Sequence, residues 1–230
     1  AVTPWNYPVS MITRKVGPAL AAGCTVVLKP AEATPLCAIE TFKILEEAGV
    51  PKGVINLVTA KDPRPVGEEF VSNPKVAKLT FTGSTAVGKM LAGKAAANMK
   101  RVSCELGGHA PFMVFEDANP VHAAKGAQLV KFLNTGQACI SPNRMYVAEK
   151  LVDDFVGTLQ ERVSKMKAGN GFEEGVTIGP LVNEAAVAKV ETQVEDAKAQ
   201  GAEVVCGGER LTTGDLGKGN FYAPTVLNGV

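Results

Sequence analysis

Short apolar, β-branched runs alternate with segments of helical apolar spacing along this chain, and that alternation limits its possible folds more than any other feature. Thr25-Val-Val-Leu-Lys29 stops at Pro30, and Val54 to Val58, Val76 to Phe81 and Val102 to Glu105 follow as further strands. Between them, Ser10 to Ala22 carries Met11, Ile12, Val16 and Leu20 at helical spacing and is closed by Gly23. Thr34-Pro35 reads as a cap and first helical residue, opening a helix to Ala48 with Gly49 as its stop. Pro65 to Val71 and Gly83 to Ala97 are the remaining helices of this half. Strands and helices alternating at this spacing predict a parallel sheet with crossover helices, a Rossmann-like doubly wound layer.

The pattern restarts after Gly107-Gly108. Ala110 to Phe115 reads as a strand, and Asn119-Pro120 caps a helix to Leu133. A strand through Val147 follows, then a helix from Leu151 to Lys167 that is broken by Gly169-Asn-Gly171. Asn183 to Gln200 is the next helix, Glu203-Val-Val-Cys206 a strand, and the last strand starts near Phe221. The expected boundary is therefore at Gly107-Gly108, with residues 1–107 forming a Rossmann-like parallel-sheet unit and residues 108–230 a second α/β unit. The chain opens at Ala1 without Met and closes at Val230 just after a strand-like run, so it reads as a fragment.

Composition removes several function classes. With 24 basic and 23 acidic residues, the net charge of +1 offers no nucleic-acid footprint and no membrane-binding charge run. No apolar run approaches the roughly 20 residues of a spanning helix. Cys24, Cys37, Cys104, Cys139 and Cys206 are odd in number and scattered, without a C-x-x-C pair. That argues for a reducing compartment and against a disulfide framework or a zinc site.

One cysteine stands out by its surroundings. Asn134-Thr-Gly-Gln-Ala-Cys-Ile-Ser-Pro-Asn-Arg144 links a helix to a strand, with Gly136 freeing the backbone and Pro142 stiffening it. A thiol on such a connection can be exposed yet held rigidly, as a nucleophile requires, although most free cysteines are small buried hydrophobes. Lys78-Leu-Thr-Phe-Thr-Gly-Ser-Thr-Ala-Val-Gly-Lys89 turns from a strand through Gly83 into a helix whose free amides and Ser84 hydroxyl can receive a phosphate. The gap from Gly83 to Gly88 also fits a P-loop, but Met90 stands where that motif needs a magnesium-holding hydroxyl. Alternatively, these glycines serve only tight packing. Lys29 lies at the carboxyl edge of the sheet with Glu32 three residues on, suited to ribose hydroxyls or to a plain ion pair. Asn6, beside Trp5 in the proline-bounded Pro4-Trp-Asn-Tyr-Pro8, is an oxyanion donor or a turn residue. Glu105 at a strand end would act as a general base if an apolar cleft desolvated it. His109 and His122 are the two histidines, and a thiol hydrolase would need one of them as partner to Cys139.

Pro4-Trp-Asn-Tyr-Pro8, Lys29-Pro-Ala-Glu32, Phe81-Thr-Gly-Ser-Thr-Ala-Val-Gly88, Glu105-Leu-Gly-Gly108 and Gly136-Gln-Ala-Cys139, in this order, resemble the aldehyde dehydrogenase superfamily over the whole chain. Within it, Ile12-Thr-Arg-Lys-Val-Gly-Pro-Ala-Leu-Ala-Ala-Gly-Cys24 and Glu105-Leu-Gly-Gly-His-Ala-Pro111 are most similar to succinate-semialdehyde dehydrogenases. The resemblance implies an NAD(P)-dependent oxidation of an aldehyde, with Cys139 as nucleophile, Glu105 activating water and Asn6 holding the oxyanion. It implies that residues 1–107 are part of a dinucleotide-binding domain and residues 108–230 part of a thiol-bearing catalytic domain. It assigns the adenosine ribose to Lys29 and Glu32, the pyrophosphate to Gly83 and Ser84 with Gly88 also in the cofactor site, and the nicotinamide side to Trp5 and Leu106. Arg14 is the implied partner of a substrate carboxylate. No metal is implied, and the full-length protein would be an intracellular homodimer or homotetramer, cytoplasmic or in the mitochondrial matrix.

Three departures qualify the resemblance. Leu133 stands where the subfamily would carry a second carboxylate-binding arginine, and Ser141 where some members carry a second cysteine. The chain is also only about half of a full-length member, so the isolated piece is expected to be inactive. Glu32 near the ribose would repel a 2′-phosphate, which favours NAD over NADP. A cofactor-independent Cys139–His109 hydrolase and a P-loop-type nucleotide-binding module are the alternatives.

Overall fold

The backbone of Val2 runs between two strands that would otherwise not touch, and this joins the first sheet of the computed structural model, which describes residues 1–230. The chain divides into two units, Ala1–Gly107 and Gly108–Val230. In the first, the elements are α1 (Pro8–Ala21), β1 (Val26–Leu28), α2 (Pro35–Glu47), β2 (Ile55–Leu57), α3 (Arg64–Ser72), β3 (Lys78–Gly83), α4 (Thr85–Ala96) and β4 (Arg101–Leu106). β1 pairs with β2 and β3 with β4, both parallel, with Val26 opposite Ile55 and Lys78 opposite Arg101. Val2 makes parallel bridges to both Lys29 and Phe81. Its N–H donates to Thr80 O at 2.8 Å, and its carbonyl accepts from Thr82 N at 3.1 Å. The strand order is thus β2, β1, Val2, β3, β4, all parallel, as alternating strands and helices require.

Two apolar clusters hold this unit. Ile12 and Val16 of α1 pack with Val26, Leu28 and Ala38, while Phe70, Val71, Leu79, Phe81, Leu91 and Ala95 form the other. Helix starts follow the sequence signals unevenly. Ser84 accepts from Val87 N at 3.4 Å and so caps α4. Thr34 precedes α2 as expected but makes no side-chain cap bond, and its hydroxyl is buried without a partner. Pro35, with φ already set for a helix, occupies the first turn instead.

The second unit contains β5 (Pro111–Val114), α5 (Pro120–Phe132), β6 (Arg144–Val147), α6 (Val152–Val163), β7 (Lys167–Ala168), β8 (Val176–Ile178), α7 (Glu184–Ala199), β9 (Glu203–Cys206) and β10 (Val226–Asn228). β5 and β6 are parallel, with Pro111 opposite Arg144, and α5 is their crossover. Asn119 and Asn183 cap α5 and α6's successor α7, accepting from His122 N at 3.0 Å and Ala186 N at 2.9 Å. The core gathers Val114, Ala124, Ala127, Phe155, Leu159, Val163 and Val226. Ala124 and Ala127 are fully buried, and the rings of Phe112 and Phe155 lie 6.5 Å apart.

Three elements of the second unit differ from expectation. The helix predicted to reach Lys167 ends at Val163, because Lys167 and Ala168 pair in parallel with β8. β8 itself, a short β-branched Val176-Thr-Ile178, was not among the predicted strands. The last strand begins at Val226 rather than near Phe221, since Pro224 has no N–H to give a ladder and Tyr222 makes only an isolated bridge to Arg210.

Candidate active site

In the first unit, the predicted residues come from the carboxyl ends of neighbouring parallel strands. Trp5 and Asn6 follow the central Val2 segment, and Lys29 and Glu32 follow β1. Gly83 ends β3 opposite Leu106 at the end of β4, and Thr82 faces Glu105. This carboxyl edge is where an open parallel sheet binds ligands. Lys29 is buried and ion-paired to the exposed Glu32. The buried hydroxyls of Thr3 and Thr82, at the ends of the central segment and β3, have no partner within the protein. Together with the free amides at the start of α4, such unsatisfied donors suit a polar, phosphate-bearing ligand.

Other predicted residues are placed differently. Gly88 lies inside α4, buried against the side chain of Leu106, where the sequence left phosphate binding and packing open. Arg14 sits exposed on α1. Glu105 is exposed near the end of β4, opposite Thr82.

Sequence reasoning passed over Lys15. Its ammonium reaches back from α1 to donate to Thr80 Oγ1 at 2.9 Å. Burial lowers its pKa from 10.5 to about 8, and the charges of Cys104 and Glu105 oppose that shift while Arg14 and Lys78 reinforce it. Lys15 is thus a partly buried cation within the electrostatic reach of Glu105. The available signal was its position, one residue past Arg14 on the helix that leaves the Asn6 loop.

In the second unit, Cys139 is half-buried and free, on the connection from α5 to β6. The loop opens with three consecutive left-handed residues, Asn134 (φ 52°), Thr135 (φ 58°) and Gly136 (φ 75°). For the two with a Cβ, and most for the β-branched threonine, this conformation costs on the order of 1–3 kcal/mol each. The base of the loop is tied by the Ser141 hydroxyl, donating to Lys131 O at 3.0 Å, and by Lys131 Nζ, donating to Asn143 Oδ1 at 2.6 Å. Ser141, expected only as the replacement of a second cysteine, is therefore a buried structural strut. Burial lowers the pKa of Lys131. His109 Nδ1 lies 2.7 Å from Asn143 Nδ2, so the histidine is engaged with an amide rather than with the thiol that a hydrolase would need it to activate.

The sequence profile of the aldehyde dehydrogenase family matches residues 1–230. The chain belongs to the aldehyde dehydrogenase family. Among curated members, it is 53% identical over 227 residues to the succinate-semialdehyde dehydrogenase [NADP(+)] GabD of Escherichia coli, covering 99% of this chain and 46% of that protein. It is 52% identical over 227 residues to the glutarate-semialdehyde dehydrogenase of Pseudomonas aeruginosa, again covering 99% and 46%. A solved aldehyde dehydrogenase, the succinate-semialdehyde dehydrogenase of Burkholderia pseudomallei, superposes with a TM-score of 0.95 at 52% identity, covering all of this chain and 46% of that one. The chain therefore spans about half the length of the family members it matches, and its α/β architecture is the aldehyde dehydrogenase fold. No helix is long and apolar enough to cross a membrane, and no cluster of three or more metal-ligating side chains is present.

Proposed function

We propose that the full-length protein oxidises an aldehyde, specifically a semialdehyde such as succinate semialdehyde, to the carboxylic acid with NAD or NADP. The observation that carries this reading is the shared carboxyl edge of one parallel sheet, where Asn6, Lys29, Gly83 and Glu105 stand beside the unpartnered hydroxyls of Thr3 and Thr82. In this reading, residues 1–107 are part of the dinucleotide-binding domain and residues 108–230 part of the catalytic domain. Lys29 and Glu32 hold the adenosine ribose, and Gly83, Ser84 and the start of α4 hold the pyrophosphate. Trp5 and Leu106 border the nicotinamide, which supplies the acceptor for a hydride.

The chain's own residues carry the remaining steps. The Cys139 thiolate adds to the aldehyde carbon, forming a carbon–sulfur bond and moving an electron pair to the carbonyl oxygen. The Asn6 amide and the Cys139 N–H donate to that oxyanion. After hydride loss the acyl group remains on Sγ as a thioester. Glu105 takes a proton from water, the water oxygen attacks the thioester carbon, and the acid leaves as the thiolate returns.

Glu32 favours NAD, because its carboxylate would meet a 2′-phosphate; the NADP(+) in the name of the Escherichia coli relative points the other way. Turnover of the full-length protein with each cofactor at equal concentration decides between them. Arg14 would grip the distal carboxylate of the semialdehyde alone, since Leu133 stands in place of a second cation. The test is the kinetics of the full-length protein on a panel of semialdehydes and simple aldehydes. Cys139→Ala is expected to abolish NAD(P)H formation and Asn6→Ala to lower kcat by about 100- to 1,000-fold. Oxidation that persists in Cys139→Ala refutes the reading.

A further inference from the structure

Two side chains of the thiol loop have no task in the chemistry above, yet they bond to backbone amides more than 40 positions away. Thr135 Oγ1 accepts from Gly179 N at 3.0 Å, and Gln137 Oε1 accepts from Val182 N at 2.9 Å. The other end of the Gln137 amide donates to Pro180 O at 3.4 Å, so the carboxamide meets residues 180–182 much as a peptide group would. We propose that Thr135 and Gln137 are positioning residues for Cys139, clamping the left-handed turn at 134–136 onto the backbone of residues 179–182. The inference rests on the reading of Cys139 as the nucleophile.

The turn needs such a clamp. Three successive positive φ angles, one of them at a β-branched residue, are not a conformation that a short loop selects unaided. Two side-chain bonds within the loop are long: Asn134 Nδ2 to Gln137 O and Gln137 Nε2 to Asn134 O are both 3.4 Å. The bonds to residues 179 and 182 are shorter and cross more than 40 positions of sequence. The receiving segment is itself fixed. It leaves β8 at the buried Ile178, Leu181 N donates to Asn220 O at 2.8 Å, and Asn183 caps α7. The loop is thus tied to a rigid frame on the thiol's amino-terminal side, while Ser141 ties the other side to α5. A nucleophile's rate falls steeply with small misplacements, so the clamp should set the reactivity of Cys139 rather than merely the stability of the unit.

The test compares full-length Thr135→Val, which keeps the shape but loses the acceptor, with Thr135→Ser, which keeps the acceptor, and Gln137→Met. Alkylation of Cys139 by iodoacetamide is followed site by site against pH, well below the unfolding temperature, alongside kcat and the KM for cofactor. Thr135→Val and Gln137→Met are expected to slow alkylation and lower kcat by about tenfold or more. Thr135→Ser should stay near wild type, and the cofactor KM should not move in any of them. Wild-type alkylation rates in both Thr135→Val and Gln137→Met overturn the proposal. Amide exchange gives a readout without variants: Gly179 and Val182 should be protected in the wild-type protein, and rapid exchange at both also overturns it. If the clamp holds by these measures while Cys139→Ala still oxidises aldehydes, it is the functional reading that fails.

Discussion

The side chain of Leu106, the last residue of β4, fills the space where Gly88 of α4 would carry a methyl group; a Cβ there would collide with Leu106 Cδ2. The second glycine of the G-x-x-x-x-G-K stretch thus has a packing reason to be glycine that requires no phosphate. Gly88→Ala is expected to destabilise the protein by about 1–3 kcal/mol through overpacking. Adding Leu106→Ala should recover part of that loss, because the two changes share one space. Urea unfolding of the single and double variants measures both, and strictly additive losses would contradict the shared-space account.

Lys15 makes stability depend on pH in a defined direction. Its folded pKa of about 8 lies below the ordinary value of 10.5, so the unfolded chain binds more of this proton between those values. Stability from this group therefore rises as pH increases from about 8 towards 10.5, and the full penalty for the buried ammonium applies below pH 8. Lys15→Met should raise the unfolding midpoint most at neutral pH and least near pH 10. A difference between variant and wild type that does not change with pH would show that the amine is solvated. Because Lys15 lies within reach of Glu105, the same variant should also move the pH profile of kcat in the full-length protein.

The contrast between these residues shows what the sequence could express. Gly83, Glu105 and Lys29 could be read because they end β-branched runs, and strand ends in a parallel sheet share one edge whatever the side chains are. Gly88 could not be resolved, since a glycine that admits a neighbour and a glycine that admits a phosphate look alike until Leu106 is seen against it. Lys15 lay hidden on the polar side of an amphipathic helix, where periodicity predicts solvent and only tertiary structure brings Thr80. β8 escaped because its three residues gain meaning only from the pairing with Lys167 and Ala168. The turn at 134–136 was legible as a loop through Gly136, but its clamp to residues 179–182 is a long-range fact with no local signature.

The ion pair of Lys29 and Glu32 joins a buried ammonium to an exposed carboxylate. Glu32→Gln leaves the buried charge without its counter-ion, at an expected cost of about 1–2 kcal/mol, less than for a fully buried pair because water still reaches this end. If Lys29 and Glu32 hold the adenosine ribose, the same change removes the carboxylate that would repel a 2′-phosphate. The ratio of kcat/KM for NADP to that for NAD should then rise in the full-length variant. An unchanged ratio, with stability lowered as expected, would separate the structural pair from cofactor choice.

Gly136 and Gly179 lie on the two sides of the thiol-loop contact, and they should respond differently to a methyl group. Gly136 has φ 75°, and a Cβ there would sit 3.2 Å from Lys131 O, a backbone atom that cannot rotate away. Gly136→Ala therefore combines left-handed strain with a tight contact and is expected to cost about 1–2 kcal/mol. At Gly179 the nearest atom to a Cβ would be Thr135 Oγ1 at 3.6 Å, an ordinary contact, so Gly179→Ala should cost well under 1 kcal/mol. Because Cys139 follows Gly136 closely in the same loop, Gly136→Ala should also slow alkylation of the thiol, whereas Gly179→Ala should leave it near wild type. Thermal unfolding together with site-resolved alkylation of both variants checks the pair of outcomes. Equal effects at the two glycines would mean that the loop relaxes freely and that its left-handed turn does not govern how the sulfur is presented.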